Sequence, residues 1–276
     1  MRNNVRLSSH QIVSKIKEFD NKKLDIIDIN PFNLNDNSDG VIFFKPEICS
    51  VNTKILCLIL NYFIHMAELH SINIQSIYII SGSFLIKNNI LNKIYTEIRE
   101  YSLLSTTGTN DFTLLFADIL GKIDNSNTAI GSLRLVKMGY SPSFLMQLWL
   151  DSGPALKIAD NLYVVPCLLN NKKILLINGF FPYQIEQYRN KNCKIIFFTF
   201  KTEESFYNLK QYFQGSIDST QRHKYSIRQY LFNLNDKHLL DNITISRNGI
   251  HMSSTREQGM REIEVFIKAL KKQRGE

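Results

Sequence analysis

The chain has 276 residues, enough for a sizeable core and for one large or two small domains. Hydrophobic residues make up 44% and charged residues 21%, the profile of a soluble globular protein, and the longest apolar run, residues 55–63, is too short to span a membrane. The formal charge of +8 suits an anionic ligand, although part of it sits in a tail (Lys268, Lys271, Lys272, Arg274) that reads as a solvated helix end. The first residues, with Arg2, Asn3, Asn4 and Arg6, lack the apolar core of a secretory signal, so a cytoplasmic location is expected. Cys49, Cys57, Cys167 and Cys193 form no CxxC pair and read as buried thiols rather than metal ligands.

In chain order, residues 9–19 carry Ile12, Val13, Ile16 and Phe19 at helical spacing behind a serine cap. Asn30-Pro31 and residues 33–40 read as a loop. Residues 41–44 form a short apolar strand ended by Lys45-Pro46; a helix over 52–69, a strand over 77–80 and a helix over 89–101 follow. Residues 112–123 and 143–150 fit helices, the latter with the only tryptophan, Trp149. Residues 162–169 and 174–177 fit a hairpin around Asn170 and Asn171. A short helix at 181–189, a strand at 194–200 and a helix at 203–213 come next, and residues 215–242, with Arg228, read as a polar loop. This order predicts an α+β fold of the ferredoxin-like kind, an antiparallel sheet with helices on one face.

Residues 248–263, NGIHMSSTREQGMREI, carry the chemistry. His251 precedes a helix start at which Ser254 and Glu257 have capping-box spacing. Glu262 lies eleven residues beyond the histidine. If the chain before the helix folds back along it, Glu262 can accept a hydrogen bond from one ring nitrogen and leave the other with its lone pair, as a nucleophile needs. A helix N-terminus nearby favours an anion such as phosphate.

Together these residues resemble the nucleoside diphosphate kinase family. Asn248, His251 and Ser253 are similar to its asparagine-x-x-histidine-glycine-serine motif, and Glu262 falls where its histidine-orienting glutamate does. Phe43, Phe44, Lys45, Pro46 and Glu47 resemble the lysine-proline-aspartate segment after its first strand. Tyr95 resembles a tyrosine of its second helix, with Asn92 where a lysine is usual. Phe180, Phe181 and Ile185 resemble the segment bordering the nucleotide base, and Ser226, Ile227 and Arg228 a threonine-isoleucine-arginine by the phosphates. The resemblance covers residues 41–101 and 179–268. It implies a helix and loop at 1–40, a kinase-like core of 41–101 and 179–276, and an inserted segment at 102–178 that could reshape the acceptor site.

It further implies that His251 takes the γ-phosphate of ATP or another nucleoside triphosphate and passes it to an acceptor, with Lys45 and Arg228 stabilising charge. Tyr95 and Ser253 would hydrogen-bond near the histidine, Asn248 would contact the nucleotide sugar or phosphate, and Phe181 with Ile185 would pack on the base. Magnesium would be held mainly by the phosphates, with no protein metal ligand. Glu47, Met252 and Ser254 depart from the family's aspartate, glycine and aspartate. Gln211 and Ile217 replace a phosphate-binding arginine and a threonine, with Lys210, Ser216 and Ser219 as candidate substitutes. A specialised kinase for a small metabolite, or a silent nucleotide- or nucleic-acid-binding module, are the alternatives. Expected partners are a nucleotide and a phosphoryl acceptor, not a membrane or nucleic acid. The family forms hexamers or tetramers, which the insertion could block.

Overall fold

A computed structural model of the chain describes residues 8–22, 24–30, 38–105, 128–241, 243–244 and 246–275. It divides into two compact units, Met1–Lys93 with Tyr188–Glu276, and Ile94–Gln187. The second is wider than the 102–178 segment at both ends.

In the first unit, α1 (Ser9–Lys22) buries Ile12, Val13, Ile16 and Phe19 along one face. Strand β1 (Ile26–Asn30) follows, then β2 (Gly40–Phe44), whose five residues are all buried. Pro46 opens the short α2 (Pro46–Cys49), where its missing N–H costs nothing. Helix α3 (Thr53–Leu69) starts where the Asn52 side chain accepts the Ile55 N–H, and buries Ile55, Leu56, Ile59, Leu60 and Phe63. Strand β3 (Asn73–Ser81) and helices α4 (Gly82–Lys87) and α5 (Ile90–Ile94) come next, and α6 (Thr96–Tyr101) opens the second unit. The chain bends at Tyr95 (φ −99, ψ 34), so the single helix expected over 89–101 is two.

The second unit contains β4 (Thr128–Gly131), α7 (Ser132–Lys137), α8 (Pro142–Asp151), β5 (Leu156–Ala159), β6 (Leu162–Leu169), β7 (Lys172–Ile177) and α9 (Phe181–Gln187). Its sheet runs β4-β7-β6-β5, with β4 and β7 parallel. The expected hairpin is β6–β7, turned by Asn170 (φ 50) and Asn171 (φ 62), residues that tolerate the left-handed region. Trp149 packs with Leu145, Leu176 and Phe180 in this unit's core. The helix expected over 112–123 and most of the loop over 30–40 lie outside the described residues.

The first unit resumes with β8 (Lys194–Lys201) and α10 (Phe206–Asn208), which runs into a π-helical turn, Leu209–Gln214. Then come α11 (Ile227–Asp236), β9 (Ile250–Met252) and α12 (Arg256–Arg274). Its sheet runs β1-β3-β8-β2-β9 with every neighbouring pair antiparallel. Strands β2 and β3 therefore point the same way with β8 between them, joined by α3. Strands β8 and β9 do likewise around β2, joined by the helical stretch ending in α11. These are two interlocked split β-α-β units.

Two expectations are corrected. Helices cover both faces of this sheet, not one. Ile42, Phe44, Ile79 and Phe198 face a core shared with α1, α3 and α11. On the other face Phe197 stacks on Phe266 of α12, ring centroids 3.9 Å apart. Side chains alternate along a strand, so the continuous burial of β2 and β8 already requires two covering layers. Residues 215–242 are not all loop either. Ser226 accepts the Gln229 N–H and opens α11, which buries Ile227, Arg228, Leu231 and Leu234. A narrow apolar stripe in a polar segment hid that helix.

Candidate active site

Strand β9 pairs with β2 so that His251 lies opposite Phe43, their rings stacked at 4.5 Å and 19°. The chain then turns through residues 253–255 and α12 returns over the same face, which brings Glu262 back to His251. The helix start is one residue later than expected. Thr255, not Ser254, is the cap: its hydroxyl accepts the Gln258 N–H, and the Gln258 side-chain oxygen accepts the Ser254 N–H. A cap must have extended backbone and reach two or three residues onward, and Thr255 does both.

Glu262 is 3% exposed and fully engaged. Its Oε1 lies 3.1 Å from His251 Nε2 and accepts from Gln258 Nε2 at 2.8 Å; its Oε2 accepts from Ser253 Oγ at 2.6 Å. Ser253 is locked in turn, since the Val41 N–H donates to Ser253 Oγ at 2.9 Å. Burial opposes the charge on Glu262, but His251, Ser253 and Gln258 together hold its carboxyl below the usual carboxylate range. Burial pushes the His251 ring below its ordinary value; Glu262 opposes that shift, and Lys210 and Lys45 add to it. A neutral ring beside an ionised carboxylate carries its proton on Nε2, which leaves the lone pair on Nδ1.

Cations line the approach to β9. Lys45 Nζ donates to Asn248 Oδ1 at 3.1 Å, and Lys210 Nζ donates to the Met252 carbonyl at 2.7 Å. Crowding by protein lowers the Lys45 ammonium to about 8, with Glu47 opposing and Arg228 adding to the shift. Arg228 lies in the first turn of α11, donating to the Gly215 carbonyl at 2.7 Å and the Ile250 carbonyl at 3.3 Å. Between Asn248 and β9, Gly249 sits at φ 76, and its N–H donates to Glu47 Oε1 at 3.0 Å. A Cβ there would stand 2.5 Å from Leu231 Cδ1, so a left-handed residue without a side chain is required.

The structure thus brings together His251, Ser253, Glu262, Lys45, Asn248 and Arg228 around β9. Tyr95, Phe181 and Ile185 belong to the second unit. Phe181 is 1% exposed within that unit's core, and Tyr95 and Ile185 pack against the same cluster. The Tyr95 and Phe181 rings meet edge to face at 6.3 Å. Gln211 lies in the π-helical turn, and of the substitutes read from the sequence Lys210 contacts β9. Gln258 was missed, though its position four residues before Glu262 on one helix was a usable signal. The pairing of Phe43 with His251 follows from strand register, which the motif alone does not reveal.

Among the described residues no group of three or more His, Cys, Asp or Glu side chains could hold a metal ion. No described helix is long and apolar enough to cross a membrane. Compared with known families, curated proteins and solved structures, the chain shows no match.

Proposed function

We propose that the chain is a phosphotransferase of the nucleoside diphosphate kinase type, with His251 as the phosphoryl carrier. The observation that carries this reading is the 3.1 Å contact between His251 Nε2 and a buried Glu262, itself held by Ser253 and Gln258. A surface histidine needs no such support; a nucleophile does, because its tautomer and direction must be fixed before attack. The strand order supports the ferredoxin-like assignment. Taking β2, β3, β8 and β9 as first to fourth, they lie in the order 2-3-1-4 with helical connections after the first and third.

In the reaction, His251 Nδ1 donates its lone pair to the γ-phosphorus of a nucleoside triphosphate. The bond to the bridging oxygen breaks, and the diphosphate leaves with that electron pair. An acceptor oxygen then attacks the phosphohistidine, the N–P bond breaks, and its pair returns to Nδ1. Lys45, Lys210 and Arg228 supply positive charge, the larger part of what phosphoryl transfer asks of a protein. Magnesium bound to the nucleotide phosphates would need no protein cage. A cytoplasmic location fits dependence on ATP.

A second reading concerns the acceptor. Phe181, the residue expected to pack on a base, is buried in the core of its own unit. That favours an acceptor recognised by its phosphate, such as a small phosphorylated metabolite. Both readings are tested by incubating the protein with γ-labelled ATP and magnesium. Acid-labile, base-stable label on wild type and none on His251→Ala is expected; unlabelled wild type refutes the carrier role. Discharge onto nucleoside diphosphates supports the general kinase, and discharge only onto metabolites supports the specialised one.

A further inference from the structure

Away from the histidine, one surface of the first unit gathers aromatic rings and cations. Tyr212 of the π-helical turn meets His223 at 5.2 Å, and His223 meets Tyr225 at 5.7 Å. The Tyr62 hydroxyl of α3 donates to the Tyr225 carbonyl at 2.6 Å, and its ring stacks on Tyr230 of α11 at 3.9 Å. Tyr212 and Tyr225 are 46% and 57% exposed, high values for such large rings. Cations are set among them: Lys224 lies 4.6 Å over the Tyr225 ring, and Arg222 4.0 Å over Phe232.

Cations outnumber carboxylates among these rings. Among these rings Arg222 and Lys224 stand against one carboxylate, Asp218, with Lys210 and Arg228 engaged at β9, and the whole chain carries +8. An apolar protein partner would be expected to meet bare aliphatic surface. Here the exposed groups are flat rings with polar tips, interleaved with cations. That combination suits a ligand with alternating flat faces and anionic links. We infer that this surface binds single-stranded nucleic acid, its bases stacking on Tyr212 and Tyr225 and its phosphates lying along Lys224 and Arg222.

Rigid stacking positions the surface for this use. Tyr62 and Tyr230 hold each other, Tyr62 fixes the backbone of Tyr225, and Arg222 donates to the Ser216 and Ile217 carbonyls at 2.8 and 2.6 Å. The exposed rings therefore lose little freedom on binding. Sequence-tolerant affinity is expected, because every base offers a face.

The test is fluorescence anisotropy with labelled single strands of RNA and of DNA, about 12 nucleotides and mixed in sequence, near the span that such surfaces cover. The full-length protein should bind the single strands, less tightly as salt rises. Tyr212→Ala and Tyr225→Ala should each weaken binding by roughly five- to a hundredfold, the range for loss of one stacked base. Lys224→Glu should weaken it and flatten the salt dependence. Thermal melting of each variant checks that the exposed positions leave the fold intact. Absence of binding at low salt overturns the inference. So does equal affinity for a matched duplex or for heparin, or binding that folded tyrosine variants retain in full.

Discussion

Glu262 decides what His251 can do. A carboxylate fixed by Ser253 and Gln258 holds one ring nitrogen and presents the other, so its charge and its place both matter. Glu262→Gln keeps the shape and removes the charge; labelling by ATP should fall by roughly a hundredfold or more, within the range that orienting and proton-handling groups contribute. Rapid-quench measurement of the first phosphorylation step reads this directly. The same geometry sets a pH profile. Attack needs neutral His251, whose value lies below the ordinary 6.5 because the ring is buried. It also benefits from charged Lys45, which is lowered to about 8. Labelling should therefore hold at neutral pH, fall on the acid side only below 6.5, and fall on the alkaline side as pH rises through about 8. In Lys45→Arg the alkaline limb should move well upward, since a guanidinium stays charged there.

Much of this was legible at the level of single residues. His251, Ser253 and Glu262 have a spacing that names their partnership once the chain folds back. Lys210 could only be guessed at, because a π-helical turn redirects its side chain in a way that no sequence period announces. Phe181 illustrates the opposite failure. An aromatic ring at the start of a short helix reads the same whether it packs on a ligand or on its own core.

At the scale of elements, the turn between β9 and α12 sets the geometry of His251 and Glu262, so its ends should be sensitive. Thr255→Ala removes the cap of α12 and should cost about 1 kcal/mol of stability, whereas Ser254→Ala should cost far less. Denaturant unfolding separates the two. Gly249→Ala should be worse than either, by more than about 1 kcal/mol, since it adds left-handed strain to a clash with Leu231 and Ile48. The strands of the first unit beside the site were readable because their burial is continuous. Strand β1 was not: Asp28 and Asn30 interrupt its isoleucines, and what holds it is pairing with β3 and the burial of Ile27 in the core. Helix α11 was hidden for a related reason, its polar residues outnumbering the stripe that Leu231 and Leu234 bury.

At the scale of the molecule, two units divide the expected site residues between them. His251 and its supports lie in one, and Phe181 lies in the core of the other with Tyr95 and Ile185 packed against that core. Phe181→Ala should therefore act first on stability, losing about 3–5 kcal/mol as buried phenylalanines do when truncated. Unfolding that leaves stability unchanged, with a raised KM for nucleotide, would instead return Phe181 to a base-packing role. The regular pattern of the sequence loosens from about residue 102, whereas the second unit runs from Ile94 to Gln187. The bounds themselves follow from contacts that are distant in sequence.

The proposed chemistry specifies which nitrogen of His251 receives phosphate. Phosphorus NMR of the protein after brief reaction with ATP and magnesium distinguishes the two phosphohistidine isomers. With Nε2 bound to Glu262 at 3.1 Å, the phosphoryl group should appear on Nδ1, and no signal should appear in His251→Ala. A phosphoryl group on Nε2, or none on the wild-type histidine, would contradict it.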